Sequence, residues 1–300
     1  MNINNKKTYL TIVTYKINED VLEKLLDSIK SQVDKIFVID NTPNGVNKLE
    51  NLRDEKTEIM YLNENTGIAH AQNVGIKKAL EEGAEFVILS DDDTIYPINY
   101  VEEMVRVFEE KKEEKIAAVA PLYKNELTGQ LRPFITKTKF GFKKHFPTSG
   151  YHEVFQAIAS GLVLNCKYLT DIGLMREDFF MDWVDLEWCW RAVRKGHRII
   201  GNADVIISHE LGHRSKKVGS RFIPLYNPIR HYYIVRNSMY LALYTNELDF
   251  IHKFILFIKT FRFVIVYPLL SKPFFTHLRY CLMGLWHGAT KKMGKLNVEH

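Results

Sequence analysis

Three carboxylates in a row, Asp91-Asp92-Asp93, close the apolar run Phe86-Val-Ile-Leu-Ser. Adjacent anions repel unless a cation or a set of donors compensates them. Hard carboxylate oxygens suit Mg²⁺ or Mn²⁺, ions that bridge protein to phosphate. The same triplet also reads as a solvated acidic turn capping a helix that begins near Pro97. A second acidic stretch, Met181-Asp182-Trp183-Val184-Asp185-Leu186-Glu187-Trp188, leads into Arg191 and a helix with a glycine stop at Gly196. Asp182 or Asp185 at its start is either a cap or a general base. Backbone donors would lower its proton affinity, and the flanking tryptophans would raise it. Asp40, before Asn41-Thr-Pro-Asn-Gly45, is either a turn former or an acceptor for a base or ribose. His209-Glu-Leu-Gly-His213 spells HExxH, the zinc-hydrolase pattern, whose chemistry needs both imidazoles on one helix face. Here it follows β-branched Asp204-Val-Ile-Ile-Ser208 and precedes a basic loop. His209 therefore reads as a single ligand at a strand end, or as an ordinary exposed histidine.

These residues need a sheet behind them. Residues 9–14, 35–40, 59–63, 86–90 and 116–120, the last ended by Pro121, read as strands, and 19–32, 65–80 and 97–111 as helices between them. That alternation predicts an α/β fold in which ligands sit outside the carboxyl ends of the strands. Asn65-Thr-Gly67-Ile-Ala69-His-Ala71-Gln-Asn73-Val-Gly75 places small residues at alternate positions at a helix start. It allows close approach of a ligand or close helix-to-sheet packing, without the spacing of a Walker or Rossmann loop. Residues 123–150 show no sustained period and read as a long mobile excursion carrying Lys137, Lys139, Lys143, Lys144 and His145, either a diphosphate or lipid head-group contact or a solvated surface. Residues 155–165 read as a strand broken by Ser160-Gly161, where a ligand or another backbone approaches closely.

Composition is that of a folded protein, 46% hydrophobic and 26% charged, with a net charge of +5. Three scattered cysteines offer neither a disulfide framework nor a cysteine zinc site, and the first residues lack a signal-peptide run, so a reducing cytosol is expected. After Pro224 the chain turns helical, basic and aromatic. Lys253, Lys259 and Arg262 interrupt the apolar run 250–270, which makes a spanning helix expensive and suits one lying in a membrane interface. The other reading is a helix packed on the domain or in a dimer interface.

Together these pieces resemble family 2 glycosyltransferases of the GT-A fold, and among them the rhamnosyltransferase-like branch. The resemblance is carried by Thr14-Tyr15, Asp40-Asn41, the Asn65 to Gly75 series, Asp91 to Asp93 as DxD, Ser160-Gly161, Asp182-x-x-Asp185-x-Glu187-x-x-x-Arg191, His209-x-x-Gly212 and Arg230-x-Tyr232-Tyr233-x-x-Arg236-Asn237. It implies a GT-A, Rossmann-like mixed sheet over residues 1–220 and a helical, membrane-associating or oligomer-forming region over 221–300. It implies that Thr14, Tyr15, Asp40, Asn65, Gly67, Ala71, Asn73, Asp91 and Asp92 hold the donor nucleotide. Asp93 and His209 would bind Mg²⁺ or Mn²⁺. Asp185 would be the base with Asp182 as its rival, since the usual Glu-Asp pair reads Val184-Asp185, and Ser160, Gly161, Trp183, Glu187 and Arg191 would meet the sugars. The expected reaction is inverting transfer of a sugar, L-rhamnose from dTDP-rhamnose or a sugar from a UDP donor, to a lipid-linked cell-surface polysaccharide such as capsule or O-antigen. It would run on the inner face of a bacterial plasma membrane, with no nucleic-acid partner. An inactive assembly partner of the same fold is the alternative from another class.

Overall fold

The computed structural model describes residues 6–45, 49–125, 129–209, 215–218, 221–224 and 226–297. The chain divides into two compact units. The first comprises residues 1–137, 142–175 and 185–210, and the second 138–141, 176–184 and 211–300.

The first unit is built on β1 (Thr8–Thr14), β2 (Lys35–Asp40), β3 (Thr57–Tyr61), β4 (Phe86–Asp91), β5 (Thr94–Ile95), β6 (Ile116–Asn125), β9 (Tyr151–Val154), β10 (Leu162–Asn165) and β11 (Arg198–His209). Their order is β3-β2-β1-β4-β10-β6-β11-β5, with β9 also paired to β11. The first four strands are parallel, β10 is antiparallel to β4 and β6, and β6 and β11 are parallel. β1 is buried along its whole length and β4 up to Asp91, as strands covered on both faces must be.

Helices α1 (Glu19–Ile29), α2 (Ile68–Glu81), α3 (Tyr100–Glu110), α4 (Leu169–Ile172) and α5 (Val184–Arg194) accompany the sheet. The Asn18 side chain caps α1 by accepting from the Asp20 N–H, and Leu22, Leu25, Leu26 and Ile29 turn inward. α2 lies against β1 through Gly75, where a Cβ would stand 2.2 Å from Thr11 Cγ2. Close packing is thus what the small residues of α2 provide.

Three local expectations are corrected. Pro121 does not end β6, because β11 passes from Asn202 opposite Pro121 to Ile206 opposite Leu122; the irregularity falls where proline lacks a donor. The excursion over 123–150 contains a hairpin of β7 (Phe134–Thr138) and β8 (Gly141–His145), which carries the basic cluster. The strand expected over 155–165 covers only Leu162–Asn165, since the backbone before it turns at Gly161.

In the second unit, α6 (Pro228–Tyr244), α7 (Phe250–Leu270) and α8 (Phe274–Ala289) pack together. Strands β12 (Ser215–Val218) and β13 (Arg221–Pro224) pair before them. Gly288 lets α8 approach α6, since a Cβ there would meet the Arg236 carbonyl oxygen at 2.4 Å.

Candidate active site

Two residues, Asp92 and Asp93, separate the end of β4 from β5. β5 pairs with β11 in the register Thr94 opposite His209. Because so short a link spans little distance, the sheet curls and His209 comes beside the acid turn in backbone register. Thus Asp93 and His209 flank one strand pairing although 116 positions apart in the chain. Glu210–His213, the rest of the HExxH stretch, lies outside the described residues. His209 itself closes a strand rather than standing in a helix, so the zinc-hydrolase geometry is not formed at its first histidine.

The turn is built on a buried frame. The Tyr96 hydroxyl donates to Ser90 Oγ at 2.7 Å, and Ser90 Oγ donates to the Asp91 carbonyl at 2.8 Å. Thr94 Oγ1 and Ser160 Oγ share a 2.5 Å hydrogen bond. The Tyr123 hydroxyl donates to the Ser160 carbonyl at 2.8 Å, the Tyr100 hydroxyl donates to the Gly161 carbonyl, and the Gly161 N–H donates to the Leu89 carbonyl at 2.7 Å. Burial pushes all three phenols up. Asp92 carries the strain of the triplet: burial first, then the Asp93 and Asp91 carboxylates, push it up to about 7 against the opposing Tyr15 N–H.

Asp185 joins this frame from the first turn of α5. Its Oδ2 accepts from the Ala159 N–H at 3.2 Å and its Oδ1 from the Leu186 N–H at 2.8 Å. After burial and Tyr96, the Asp185 and Asp91 carboxylates together raise the Tyr123 phenol. A continuous path therefore runs from Asp185 through Ala159 and Ser160 to Thr94, the neighbour of Asp93.

At the ends of β1 and β2, the Thr14 hydroxyl donates to Asp40 Oδ1 at 3.2 Å, which also accepts from the Thr42 N–H at 3.1 Å. Asn41 Nδ2 donates to Asn65 Oδ1 at 3.3 Å, and Asn41 Oδ1 accepts from the Thr66 N–H at 2.8 Å. Gly67, at φ 88°, begins α2 at this corner and offers no side-chain cap, and its own N–H donates to Asn65 Oδ1 at 3.1 Å. The arrangement offers polar groups for a nucleoside, amides for a phosphate, a carboxylate turn for a cation and a carboxylate for a proton.

Residues 10–169 match glycosyl transferase family 2. The chain belongs to that family. It is 30% identical over 240 residues to the dTDP-rhamnosyl transferase RfbF of Shigella flexneri, covering 79% of this chain and 80% of that one. Solved structures with the same fold include GalNAc-T7 with UDP, GalNAc and Mn²⁺, at TM-score 0.58, 13% identity, 86% of this chain and 54% of that one. Staphylococcus aureus TarS matches at TM-score 0.57, 15% identity, 95% of this chain and 53% of that one. The chain thus spans about half the length of those two proteins. TarS 1–349 in complex with UDP-GlcNAc matches at TM-score 0.56, 14% identity, 95% of this chain and 82% of that one.

Several residues of this glycosyltransferase sit elsewhere than expected. Ala71 is fully buried, and Asn73 holds Met175, its Oδ1 accepting from the Met175 N–H and its Nδ2 donating to the Met175 carbonyl, each at 2.9 Å. Ala71 packs in the core and Asn73 tethers Met175 to α2. Ser160 and Gly161 are bonded into the frame of the acid turn, Ser160 buried through its bond to Thr94. Gly161 is required there by its φ of 71° and by Ile207 Cδ1, 2.7 Å from where a Cβ would be. Glu187, 2% exposed, accepts from Arg191 at 3.0 Å, and Arg191 also donates to the Ile172 and Leu174 carbonyls at 2.8 Å. This pair fastens α5 to the segment after α4.

Asp182 and Trp183 belong to the second unit and have positive φ, 58° and 68°. The Arg230 guanidinium grips Asp182 through contacts of 3.1 to 3.3 Å. Asn237 Nδ2 donates to the Met181 carbonyl at 2.8 Å, and Arg236 Nη2 to the Phe179 carbonyl at 2.7 Å. The Trp183 indole N–H donates to the Ile234 carbonyl at 3.1 Å. Arg236 and Asn237 entered the sequence reading only as carriers of the resemblance, with no role of their own, and Tyr96 and Tyr123 did not enter it. The signal of the two tyrosines was present only as polar aromatic residues among apolar ones.

The residues present fit a divalent cation by the chemistry of their donors. Burial, then the Asp93 and Asp91 carboxylates, drive up the proton affinity of Asp92, and a cation relieves the anionic excess of the turn. Among the described residues no three metal-binding side chains form a ready cage. Mg²⁺ and Mn²⁺ sites that use one or two carboxylates are completed by substrate phosphate and water.

Proposed function

We propose that this glycosyltransferase moves L-rhamnose from dTDP-rhamnose to a lipid-linked cell-surface glycan, inverting the anomeric carbon. The carrying observation is the path of direct contacts from Asp185 to the acid turn, which sets a proton acceptor and an anion-rich turn in one frame. The donor assignment rests on the RfbF likeness. Thymine and ribose are assigned to the Thr14, Asp40, Asn65 and Asp91 corner, with the 45% exposed Tyr15 ring beside it. The diphosphate is assigned to the α2 amides after Gly67. Asp93, with His209, would hold Mg²⁺ or Mn²⁺, whose charge would stabilise the departing diphosphate. The acceptor hydroxyl oxygen attacks C1 as its proton passes to Asp185. The C1–O bond to phosphate breaks, and dTDP leaves with the bonding pair. Asp185 takes this role because the Asp182 carboxylate is held by Arg230.

Screening nucleotide sugars with Mn²⁺ or Mg²⁺ tests the donor. dTDP-rhamnose should give the largest thermal stabilisation and slow release of free rhamnose. Stronger stabilisation and turnover with a UDP-sugar would overturn the assignment.

A further inference from the structure

Helix α7 exposes a row of large apolar residues beside Lys259 and Arg262. It buries His252, Thr260 and Pro268 together with Leu256 and Val264, while Phe250, Phe254, Ile258, Phe261, Ile265 and Leu269 face outward. Phe250, Phe254 and Ile265 are 82%, 56% and 62% exposed. A helix packed on a domain in water shows the opposite polarity. No helix among the described residues is long and apolar enough to cross a membrane.

Two further observations bear on what covers this row. Between Asp249 and Glu299 the chain carries eight Lys and Arg residues and no Asp or Glu. The tip of the β7–β8 hairpin, Thr138–Gly141, lies in the same unit. It is fixed to α7 by the His252 imidazole, which donates to the Gly141 carbonyl at 3.0 Å. That tip exposes 72% of Phe140 next to Lys139.

We propose that the outward row of α7 and the Phe140 tip form one surface that seats on an anionic bilayer. The proposal deepens the lipid-linked acceptor reading and rests on it. Apolar side chains would enter the acyl boundary while Lys and Arg extend to phosphate head groups. A second copy is the poorer occupant, since it would set one acid-free cationic segment against another.

Flotation of the full chain with phosphatidylglycerol and phosphatidylcholine vesicles tests this, using wild type, Phe140→Ser and the triple variant Phe254→Ser, Ile258→Ser, Phe261→Ser. All these side chains are exposed, and retained thermal stabilisation by dTDP checks folding. Wild type should float with the anionic vesicles and far less with the neutral ones. The triple variant should lose on the order of a hundredfold in partitioning, and Phe140→Ser on the order of tenfold. dTDP-rhamnose hydrolysis without vesicles should be unchanged. Failure of wild type to float, or a lipid-free dimer that the triple variant converts to monomer, would overturn the surface. Lost hydrolysis with binding intact would instead sink the donor reading and leave the surface standing.

Discussion

Asp92 bears the repulsion of a turn that gathers three acids, and its behaviour with pH follows. A carboxyl whose folded-state pKa is raised to about 7 keeps its proton in the native state over a range where the unfolded chain has released it. The native state then binds more protons, so stability falls as pH climbs from the unfolded value through about 7. Denaturant titrations of metal-free protein should show wild type losing stability relative to Asp92→Asn between pH 5 and 8. Parallel curves would contradict the crowding. Ser160→Ala removes the partner of buried Thr94 and should cost about 1 to 2 kcal/mol, with turnover reduced more than donor affinity. The acids were legible in the sequence because carboxylates at the end of an apolar run are conspicuous. The side chains beneath them were not, since a buried tyrosine and a core phenylalanine look alike until partners such as Ser160, 37 positions from Tyr123, and Gly161, 61 positions from Tyr100, are known.

At the scale of elements, periodicity found the parallel half of the sheet, from β1 to β4, and its helices. It missed where strands tolerate irregularity. Pro121 looked like a stop, and only the register of β11 shows how the ladder accommodates it. The hairpin of β7 and β8 escaped because Thr-Lys-Thr-Lys-Phe-Gly-Phe-Lys-Lys alternates basic and aromatic residues rather than polar and buried ones. Gly161 was noticed as a break in a strand, but its purpose is close packing over the sheet. Gly161→Ala should destabilise by about 2 to 4 kcal/mol, from left-handed backbone and overpacking together. Glu187→Gln should destabilise by about 3 to 5 kcal/mol by leaving the Arg191 guanidinium without its counter-charge. Thermal and chemical unfolding of both variants checks these values, and near-neutral results would return Gly161 and Glu187 to the list of ligand contacts.

At the scale of the molecule, one chain combines a sheet whose strand ends gather the polar chemistry with a helical unit whose α7 exposes a row of large apolar residues. Sequence composition announced the change of character after Pro224. It could not show that α7 points its phenylalanines outward, because an apolar helix reads the same from either side. Both features suit the proposed transfer from a charged soluble donor to a lipid-borne acceptor. The account depends most on Asp185 acting as the base. The decisive measurement is dTDP-rhamnose affinity and single-turnover transfer for wild type and Asp185→Asn. The variant should bind donor within about twofold of wild type yet transfer rhamnose on the order of 10²- to 10⁴-fold more slowly. Transfer at the wild-type rate would contradict the assignment.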